Sequence, residues 1–555
     1  MIRSESRPLS LIALWFVAVA IASGIWWNVP LIDDWTYAWS VERLLKTGRF
    51  EVLDWTGNFA FGQVVWGAAW SSILGFSFVA LRLSTLVMGA VACAALYVML
   101  RDFEIPRAVA LTGALTLAAN PAFVVLSASF MTDVPFLACA TLSLLCYTRA
   151  AKFVRPGYLW WAGAWAFAAF TVRQAGIVVP LAGVPLLLIP RQSRTFNRLM
   201  VAAALGVTWG AIGVLWLTLD ALVGSTSVMS QWVDHLRYFF LVKPASYLSY
   251  NLELLTVLAF YTLPTLLAAA TIRGIWRSRA LAAASIVALV VLIAVFGELP
   301  LPLPRSETWN LREIGASRSL VAGSMMPEPN WLRLVVRVAG LAAFMLLLAP
   351  LLKLVGSLRR LGLAKMGSRA APPRAWALAA SRRMCLLAFI LGYTAIVNLF
   401  WLYNDRYYLA LIPPVVALIL DGLPEARVVP RLAWAVLAVF AAIALVGSRD
   451  AFRFNVAVRE GWETLVNDGV APSDIDAGYA WNGWTLYAHP ENLANGLNAE
   501  RDVPWVNSSR QTKFILSKTP EKGYDVVRVI AWTDLPWPGP DRLFVLRRQP
   551  ETEDK

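Results

Sequence analysis

Long apolar stretches alternate with short polar connections along the chain up to about residue 448. An α-helix crosses the hydrocarbon core of a bilayer with about 20 apolar residues, and about thirteen stretches approach this length. Their approximate limits are 9–29, 78–100, 106–124, 134–150, 157–172, 174–190, 199–222, 252–272, 280–297, 332–355, 384–403, 408–421 and 431–448. The pattern predicts a multi-span α-helical membrane protein with about 13 transmembrane helices.

Basic residues fall in alternate connections, and this sets the expected orientation. If the N-terminus is cytoplasmic, every predicted inner connection is basic, as the positive-inside rule requires. These connections carry Arg101, Arg107, Arg149, Lys152, Arg155, Arg191, Arg194, Arg198, Arg273, Arg277, Arg279, Arg359, Lys365, Arg374, Arg383, Arg427 and Arg431. The first stretch is longer than a signal-peptide core, so we expect it to be a retained span.

The same orientation places four segments and the polar tail on the outer side. They are residues 30–77, 120–133, 223–251, 298–331 and the tail from 449. In the first segment, tryptophan-rich amphipathic stretches at 35–45 and 64–74 are typical of helices that lie in the membrane interface. Segment 298–331 is rich in proline and glycine, which predicts a loop that closes over a site.

The tail combines a helix-like stretch at 455–466 with strand-like stretches at 513–516, 525–531 and 542–546. This pattern is typical of a small α/β domain. We therefore expect two domains, a transmembrane domain at 1–448 and a C-terminal extracytoplasmic domain at 449–555.

The composition supports a membrane protein and excludes several other classes. The chain is 58% hydrophobic and 15% charged, too little polar surface for soluble domains. The net charge of +14 is explained by topology, so no nucleic-acid partner is expected. The four cysteines lie in apolar stretches without metal or redox spacing, and two histidines make a histidine-based metal site unexpected.

Three acidic residues at outer ends of spans are candidates for chemistry. Asp33 and Asp34 follow the first span, where a carboxylate is costly unless it is solvated, paired or functional. One of them is also suited to cap the next helix, and Asp34 is the preferred candidate. Because a single cap satisfies the helix, the other carboxylate stays available. Asp133 lies two residues before Pro135, a pattern that favours a helix N-cap over a functional role.

Two arginines are candidates for binding an anion. Arg173 lies at an outer turn, against the positive-inside trend, where it is suited either to bind an anionic lipid headgroup or to snorkel to ordinary phospholipid phosphate. Arg406 precedes Tyr407 and Tyr408 at another outer turn, where it can bind a phosphate or pair with Asp405.

In their order, these segments resemble the GT-C superfamily of glycosyltransferases. The branch that they resemble contains the protein O-mannosyltransferases and the aminoarabinose transferases that modify lipid A. The residues that carry the resemblance are Asp33-Asp34 with the two interfacial stretches, Met131-Thr132-Asp133-Val134-Pro135, Arg173-Gln174-Ala175-Gly176 leading to Pro180, and Arg406-Tyr407-Tyr408-Leu409 leading to Pro413. The resemblance covers the membrane region to about residue 448 and implies a GT-C-like fold.

The resemblance also implies roles for individual residues. Asp33 or Asp34 is expected to be catalytic, and because Asp34 stands where the family commonly has Glu, the choice between them stays open. Asp133 is expected near the acceptor or a metal. The donor phosphate is expected to be bound by Arg173, Arg406 and Tyr407. A divalent cation bridged by Asp33 and Asp133 is an open alternative, and no other cofactor is expected.

The chemistry of the expected donor agrees with these roles. A polyprenyl phosphate leaves as an anion that is stable near neutral pH, since the second phosphate pKa is about 6. The transfer then needs one base for the acceptor hydroxyl and cationic groups for the phosphate. We therefore expect inverting transfer of a sugar from a polyprenyl-phosphate donor to a lipid, glycan or protein acceptor. The expected place is the periplasmic face of a bacterial inner membrane.

Two other functions remain open. A transporter or flippase of a lipid-linked sugar would also need many spans and a phosphate site, but it would usually show internal repeats and ionisable residues near the midplane. No convincing repeat is found, and the candidate residues lie at the outer edge. A polymerase or ligase that uses a diphosphate-linked donor differs only in its donor.

Overall fold

The computed structural model describes residues 2–188, 196–224, 226, 229, 246–269, 279–296, 330–367, 374–399, 405–421, 429–504, 512–532 and 541–550. The helices up to the tail are α1 (Ile2–Ala22), α2 (Asp34–Thr47), α3 (Phe61–Leu74), α4 (Phe78–Asp102), α5 (Arg107–Ala118), α6 (Pro121–Ser127), α7 (Asp133–Phe153), α8 (Pro156–Val172), α9 (Arg198–Val223), α10 (Ser246–Tyr261), α11 (Leu263–Ala269), α12 (Arg279–Phe296), α13 (Asn330–Gly367), α14 (Arg374–Val397), α15 (Ile412–Asp421) and α16 (Arg431–Asn467). Between them, the described residues form two 3₁₀ helices, Gln174–Leu188 and Asp405–Leu411.

The protein is a multi-pass membrane protein. Within the described residues, 7 helices are long and apolar enough to cross a bilayer, or up to 9 if each of two bent pairs is one span. The pairs are α5 with α6, bent by 65°, and α10 with α11, bent by 67°. In the first pair, Asn120 caps α6 by accepting the N–H of Phe123, and Pro121 starts the new helix. The predicted total of about 13 spans is not confirmed.

The stretch predicted as a span at 174–190 is a 3₁₀ helix over Gln174–Leu188. Pro180 and Pro185 lie inside it. Because proline lacks an N–H and its ring clashes with the preceding turn of an α-helix, two prolines in 15 residues oppose a regular α-helix here.

Small residues bring the helices close together. A Cβ on Gly163 of α8 would lie 2.3 Å from Thr208 Oγ1 of α9, and one on Gly183 would lie 2.6 Å from the Tyr147 ring. Ser143 of α7 donates a hydrogen bond across the helix interface to a carbonyl of α8, at 2.8 Å. Close backbone approach and interhelical hydrogen bonds are the usual sources of helix association in a bilayer.

The basic connections meet at one end of the bundle, here called the basic end (Arg101, Arg107, Arg149 and Lys152). Arg101 and Arg107 pair with Glu5 of α1, and Arg149 pairs with Asp102 at 2.6 Å. Helix α7 carries Asp133 at its start and Arg149 near its other end, about 24 Å apart at 1.5 Å per residue. The basic end and the candidate site therefore lie at opposite ends of the bundle. Which end faces the cytoplasm stays a prediction.

The segment between the first two spans forms the two predicted helices, α2 and α3. Helix α2 ends at Gly48, whose φ of 70° is accessible to glycine at little cost, and the N–H of Gly48 bonds to Leu44 O. Whether these helices lie in a membrane interface stays a prediction. The predicted loop at 298–331 lies outside the described residues, apart from the two residues that start α13.

In the described part of the tail, four strands form a sheet in the order β1-β2-β4-β3. Its strands are β1 (Ile475–Asp476), β2 (Phe514–Ser517), β3 (Tyr524–Trp532) and β4 (Asp541–Arg548), and only the β1–β2 pair is parallel. The three predicted strands are confirmed as β2, β3 and β4. The predicted helix at 455–466 is the end of α16, which runs through residue 448 without a break, so the division at 448/449 stays a prediction.

Candidate active site

Asp34 is fully buried and ties the first loop to α4. Its Oδ2 lies 3.5 Å from Nη2 of Arg82, with both side chains 0% exposed, and its Oδ1 accepts the Leu31 N–H at 2.7 Å. Arg82 also donates to the carbonyls of Trp27 and Val29. Burial raises the pKa of Asp34 to about 6, and the charge of Arg82 opposes this shift. The Asp34 carboxylate therefore holds the loop in place instead of capping α2.

Asp33 occupies the N-cap position of α2, but its side chain makes no cap hydrogen bond. The predicted cap by Asp34 is wrong, because Asp34 is the first helical residue and its carboxylate binds Arg82. Ile32, which precedes Asp33, has a φ of 57°, a strained backbone conformation for a residue with a β-branched side chain. At this strained turn, two consecutive carboxylates go to different partners.

The Asp33 carboxylate is held at both oxygens. Its Oδ2 accepts from Arg406 Nη1 at 3.3 Å, and its Oδ1 accepts from the Tyr479 hydroxyl at 2.5 Å. The side chain is 28% exposed, so a ligand can still reach it.

Asp133 is the first residue of α7 and pairs with Arg173 across to the end of α8. Its Oδ1 lies 2.5 Å from Arg173 Nη1 and 4.0 Å from Arg406 Nε. The predicted N-cap role is wrong, because Asp133 is the first helical residue and the N-cap residue is Thr132, whose side chain makes no cap hydrogen bond. The Asp133 side chain is 2% exposed, and within the described residues its Oδ2 has no hydrogen-bond partner.

Arg173 and Arg406 share one aromatic ring. Their guanidinium carbons lie 4.9 Å and 5.5 Å from the centroid of the Tyr407 ring. Arg173 is 11% exposed and pairs with Asp133, and its choice between an anionic lipid headgroup and ordinary phospholipid stays a prediction. The side chain of Asp405, the alternative partner of Arg406, lies outside the described residues.

Three residues of this cluster were not predicted. Tyr37 of α2 is buried, and its pKa is raised by burial and then by the charge of Asp33; Asn58 donates to its hydroxyl at 3.3 Å. Tyr37 is four residues after Asp33, so helical periodicity would have placed it on the same face. Tyr479 and Trp55 complete the cluster, since Trp55 Nε1 donates to Tyr479 Oη at 2.8 Å. No sequence pattern connects Tyr479 with Asp33.

The arrangement does not suit a cation bridged by Asp33 and Asp133. Arg406 lies within 4.0 Å of both carboxylates and would repel a divalent ion between them. The part of the chain that the structure describes holds no group of three or more His, Cys, Asp or Glu side chains suited to a metal. No chemical step is therefore assigned to a metal, and a metal requirement stays a prediction.

Comparison with known families adds an independent observation. Residues 65–218 match the family model described as dolichyl-phosphate-mannose-protein mannosyltransferase. The resemblance to the GT-C superfamily is thereby confirmed. The matched residues include Asp133 and Arg173, whereas Asp33 and Arg406 lie outside them. A search of curated proteins finds no match to the chain.

Several solved structures are also similar to the chain. ArnT from Cupriavidus metallidurans in the apo state is 13% identical, with a TM-score of 0.40 and coverage of 98% of each chain. The Archaeoglobus fulgidus oligosaccharyltransferase in complex with Zn and sulfate is 13% identical, with a TM-score of 0.45 over 92% of this chain and 68% of that chain. The S. cerevisiae protein O-mannosyltransferase Pmt1-Pmt2 complex bound to the sugar donor is 17% identical, with a TM-score of 0.33. That match covers 39% of this chain and spans 33% of the yeast chain.

Proposed function

We propose that the protein is a membrane glycosyltransferase that moves a sugar from a polyprenyl-phosphate carrier to an acceptor hydroxyl on the extracytoplasmic face. The observation that carries this proposal is one cluster of two carboxylates and two guanidiniums from four separate segments. Arg406 contacts Asp33 at 3.3 Å and approaches Asp133, which pairs with Arg173 at 2.5 Å. The family description, which names a dolichyl-phosphate-linked sugar, supports the same donor class.

The cluster suits a phosphate leaving group. A sugar phosphate bond breaks with negative charge moving onto the phosphate oxygens, and fixed guanidiniums stabilise that charge. Within the described residues, Arg173 has one side-chain hydrogen bond, to Asp133, and a guanidinium has five N–H donors. We assign the donor phosphate to Arg173 and Arg406, with the Tyr407 ring holding both side chains in place.

We assign the base to Asp33, not to Asp34. A general base must reach the acceptor proton directly or through one water, and a fully buried carboxylate paired with Arg82 cannot do so. Asp33 is partly exposed and lies beside the guanidinium assigned to the phosphate. The acceptor hydroxyl then attacks the anomeric carbon from the side opposite the leaving phosphate, which inverts its configuration, while Asp33 takes the proton.

The remaining assignments complete the proposal. Asp133 orients Arg173 and lies near the acceptor. The acceptor is a lipid, a glycan or a protein hydroxyl. The protein resides in a bacterial inner membrane with its N-terminus in the cytoplasm and its tail in the periplasm, so that the basic end is cytoplasmic.

The test is transfer by the purified protein in lipid vesicles. Polyprenyl-phosphate sugars, labelled in the sugar, are supplied with envelope extract, and both the label on acceptor and the free polyprenyl phosphate are measured. We expect the protein to release polyprenyl phosphate. The rate of release should fall roughly 100-fold or more for Asp33→Asn, the usual size of a general-base contribution. The matched control is Glu104→Gln, an exposed carboxylate at the basic end.

Two outcomes contradict the proposal. Movement of labelled carrier across the vesicle membrane without release of polyprenyl phosphate would identify a flippase. Full activity of the Asp33→Asn variant would show that Asp33 is not the base.

A further inference from the structure

The tail reaches the candidate base through Tyr479. This residue starts a four-residue helix, Tyr479–Asn482, directly after Gly478, whose φ of 79° favours glycine. Its hydroxyl donates to Asp33 Oδ1 at 2.5 Å across 446 positions of sequence. The tail is therefore part of the candidate active site.

The direction of this hydrogen bond is fixed by its second partner. Trp55 Nε1 lies 2.8 Å from Tyr479 Oη, and an indole N–H can only donate. An ionised carboxylate can only accept. The Tyr479 hydroxyl must therefore accept from Trp55 and donate to Asp33, which makes a directed chain from Trp55 through Tyr479 to Asp33.

The aromatic packing around Tyr479 gives the hydroxyl a definite position. Its ring meets Trp35 edge-on, with centroids 6.0 Å apart, and Trp35 is 0% exposed. Four residues later, Gly483 lies so close to Trp35 that a Cβ would fall 2.4 Å from the indole. Tyr487 packs against Trp35 and Trp55 from the same segment. The tail is thus seated on α2, directly beside Asp33.

We propose that Tyr479 is a positioning residue for Asp33, and that Trp55 directs its hydroxyl. This inference rests on the proposed function. With Tyr479 on Oδ1 and Arg406 on Oδ2, the plane of the Asp33 carboxylate is set before an acceptor arrives. The proposal gives the donor phosphate to Arg173 and Arg406 and gives Tyr479 only the Asp33 carboxylate, so loss of the Tyr479 hydroxyl should lower kcat and leave KM for the donor unchanged.

The test uses the full chain in vesicles and four variants. Tyr479→Phe removes the hydroxyl and keeps the ring against Trp35, and we expect kcat to fall roughly 10-fold to 100-fold, as for loss of a hydrogen bond to a charged group. Tyr487→Phe is the matched control, since it removes a hydroxyl from a ring that packs against the same tryptophan, and its kcat should equal that of the unchanged protein. Trp55→Phe should lower kcat by less than Tyr479→Phe does.

The fourth variant combines Tyr479→Phe with Trp55→Phe and separates positioning from packing. If Trp55 acts only through the Tyr479 hydroxyl, it has no further effect once that hydroxyl is gone, so the two falls do not multiply. Multiplied effects, or a rise in KM for the donor in place of a fall in kcat, would overturn the proposal.

Failure of this inference is distinct from failure of the proposed function. If the unchanged protein releases polyprenyl phosphate and Tyr479→Phe matches it, the positioning role is refuted and the transferase is retained. If the unchanged protein consumes no donor, the proposed function fails, and the role of Tyr479 fails with it.

Discussion

The guanidinium of Arg406 lies 3.3 Å from the carboxylate of Asp33, although 373 positions separate them in the chain. The contact joins the loop after the first span to the 3₁₀ helix Asp405–Leu411. It places the group assigned to the phosphate directly beside the group assigned as base. In the proposed mechanism, this ion pair would couple donor binding to proton removal.

The first prediction concerns Arg406. Arg406→Gln keeps a polar side chain but loses the charge, so we expect KM for the donor to rise by roughly 10-fold or more, in the range of a charge-assisted hydrogen bond. The measurement is initial rate against donor concentration. Arg107→Gln, which removes a half-exposed guanidinium from the basic end, is the control and should leave KM unchanged. Equal KM values for both variants would contradict the assignment.

The second prediction separates the two neighbouring carboxylates. Asp34→Asn leaves the Arg82 guanidinium buried without its ionised partner, a change that typically destabilises by about 3–5 kcal/mol. Asp33→Asn changes a partly exposed group and should leave stability nearly unchanged while activity is lost. Thermal unfolding of both variants in detergent checks this. A lower midpoint for Asp33→Asn than for Asp34→Asn would reverse the roles assigned here.

The third prediction concerns the ring that both guanidiniums share. Tyr407→Leu removes two cation–π contacts, each worth about 0.5–1 kcal/mol or more when desolvated. We expect weaker donor binding, by roughly 10-fold, whereas Tyr407→Phe keeps the ring and should bind the donor as the unchanged protein does. Competition by unlabelled polyprenyl phosphate measures the affinity. If Tyr407→Phe loses as much affinity as Tyr407→Leu, the hydroxyl and not the ring is responsible.

The convergence of Asp33, Asp133, Arg173 and Arg406 was predictable because it follows from topology. Alternation of basic connections places the ends of spans on one side or the other, and the polar residues left at the opposite side then share one face. The burial of Asp34 was less easily predicted. The indication was Arg82, a charged residue inside a predicted span, which needs a partner of opposite charge. The sequence did not show which of the two neighbouring acids would provide that partner.

The contribution of the tail was not predictable in the same way. Tyr479 reaches Asp33 only because the tail is seated on α2 by Trp35, Gly483 and Tyr487. Such contacts depend on three-dimensional packing and leave no periodic or spaced pattern in the chain. The strands of the tail were predicted from local patterns, and the structure confirms them. Their position relative to the membrane helices could not be predicted from those patterns.

The last prediction concerns a second contact that seats the tail, between His489 and Glu42 of α2. His489 Nε2 lies 3.2 Å from Glu42 Oε2, and Nδ1 lies 2.8 Å from the carbonyl of Trp484. Both ring nitrogens face acceptors, so the protonated ring satisfies both. The hydrogen bond that His489 donates to Glu42 raises the pKa of His489, and the charge of Glu491 adds to this shift. The same hydrogen bond lowers the pKa of Glu42 to about 2, with Lys46 contributing.

The sign of the pH dependence follows from these two shifts. His489 is raised above its ordinary value of 6.5, so its contribution to stability is complete below that pH and is lost as pH rises through the raised pKa. Glu42 is lowered below 4.5, so its contribution is complete above that pH and is lost as pH falls toward about 2. The contact between tail and α2 should therefore be strongest between these ordinary values.

We expect the unchanged protein to unfold at a higher temperature at pH 6 than at pH 9. In His489→Gln, the part of this temperature difference that comes from His489 should be lost. Glutamine is the suitable replacement because it retains a donor for Glu42 but does not titrate. Thermal unfolding of both proteins at several pH values in one detergent is the measurement. Because other groups also titrate, the difference between the two curves is the informative quantity. If the curves run parallel from pH 5 to pH 9, the His489–Glu42 pair does not seat the tail.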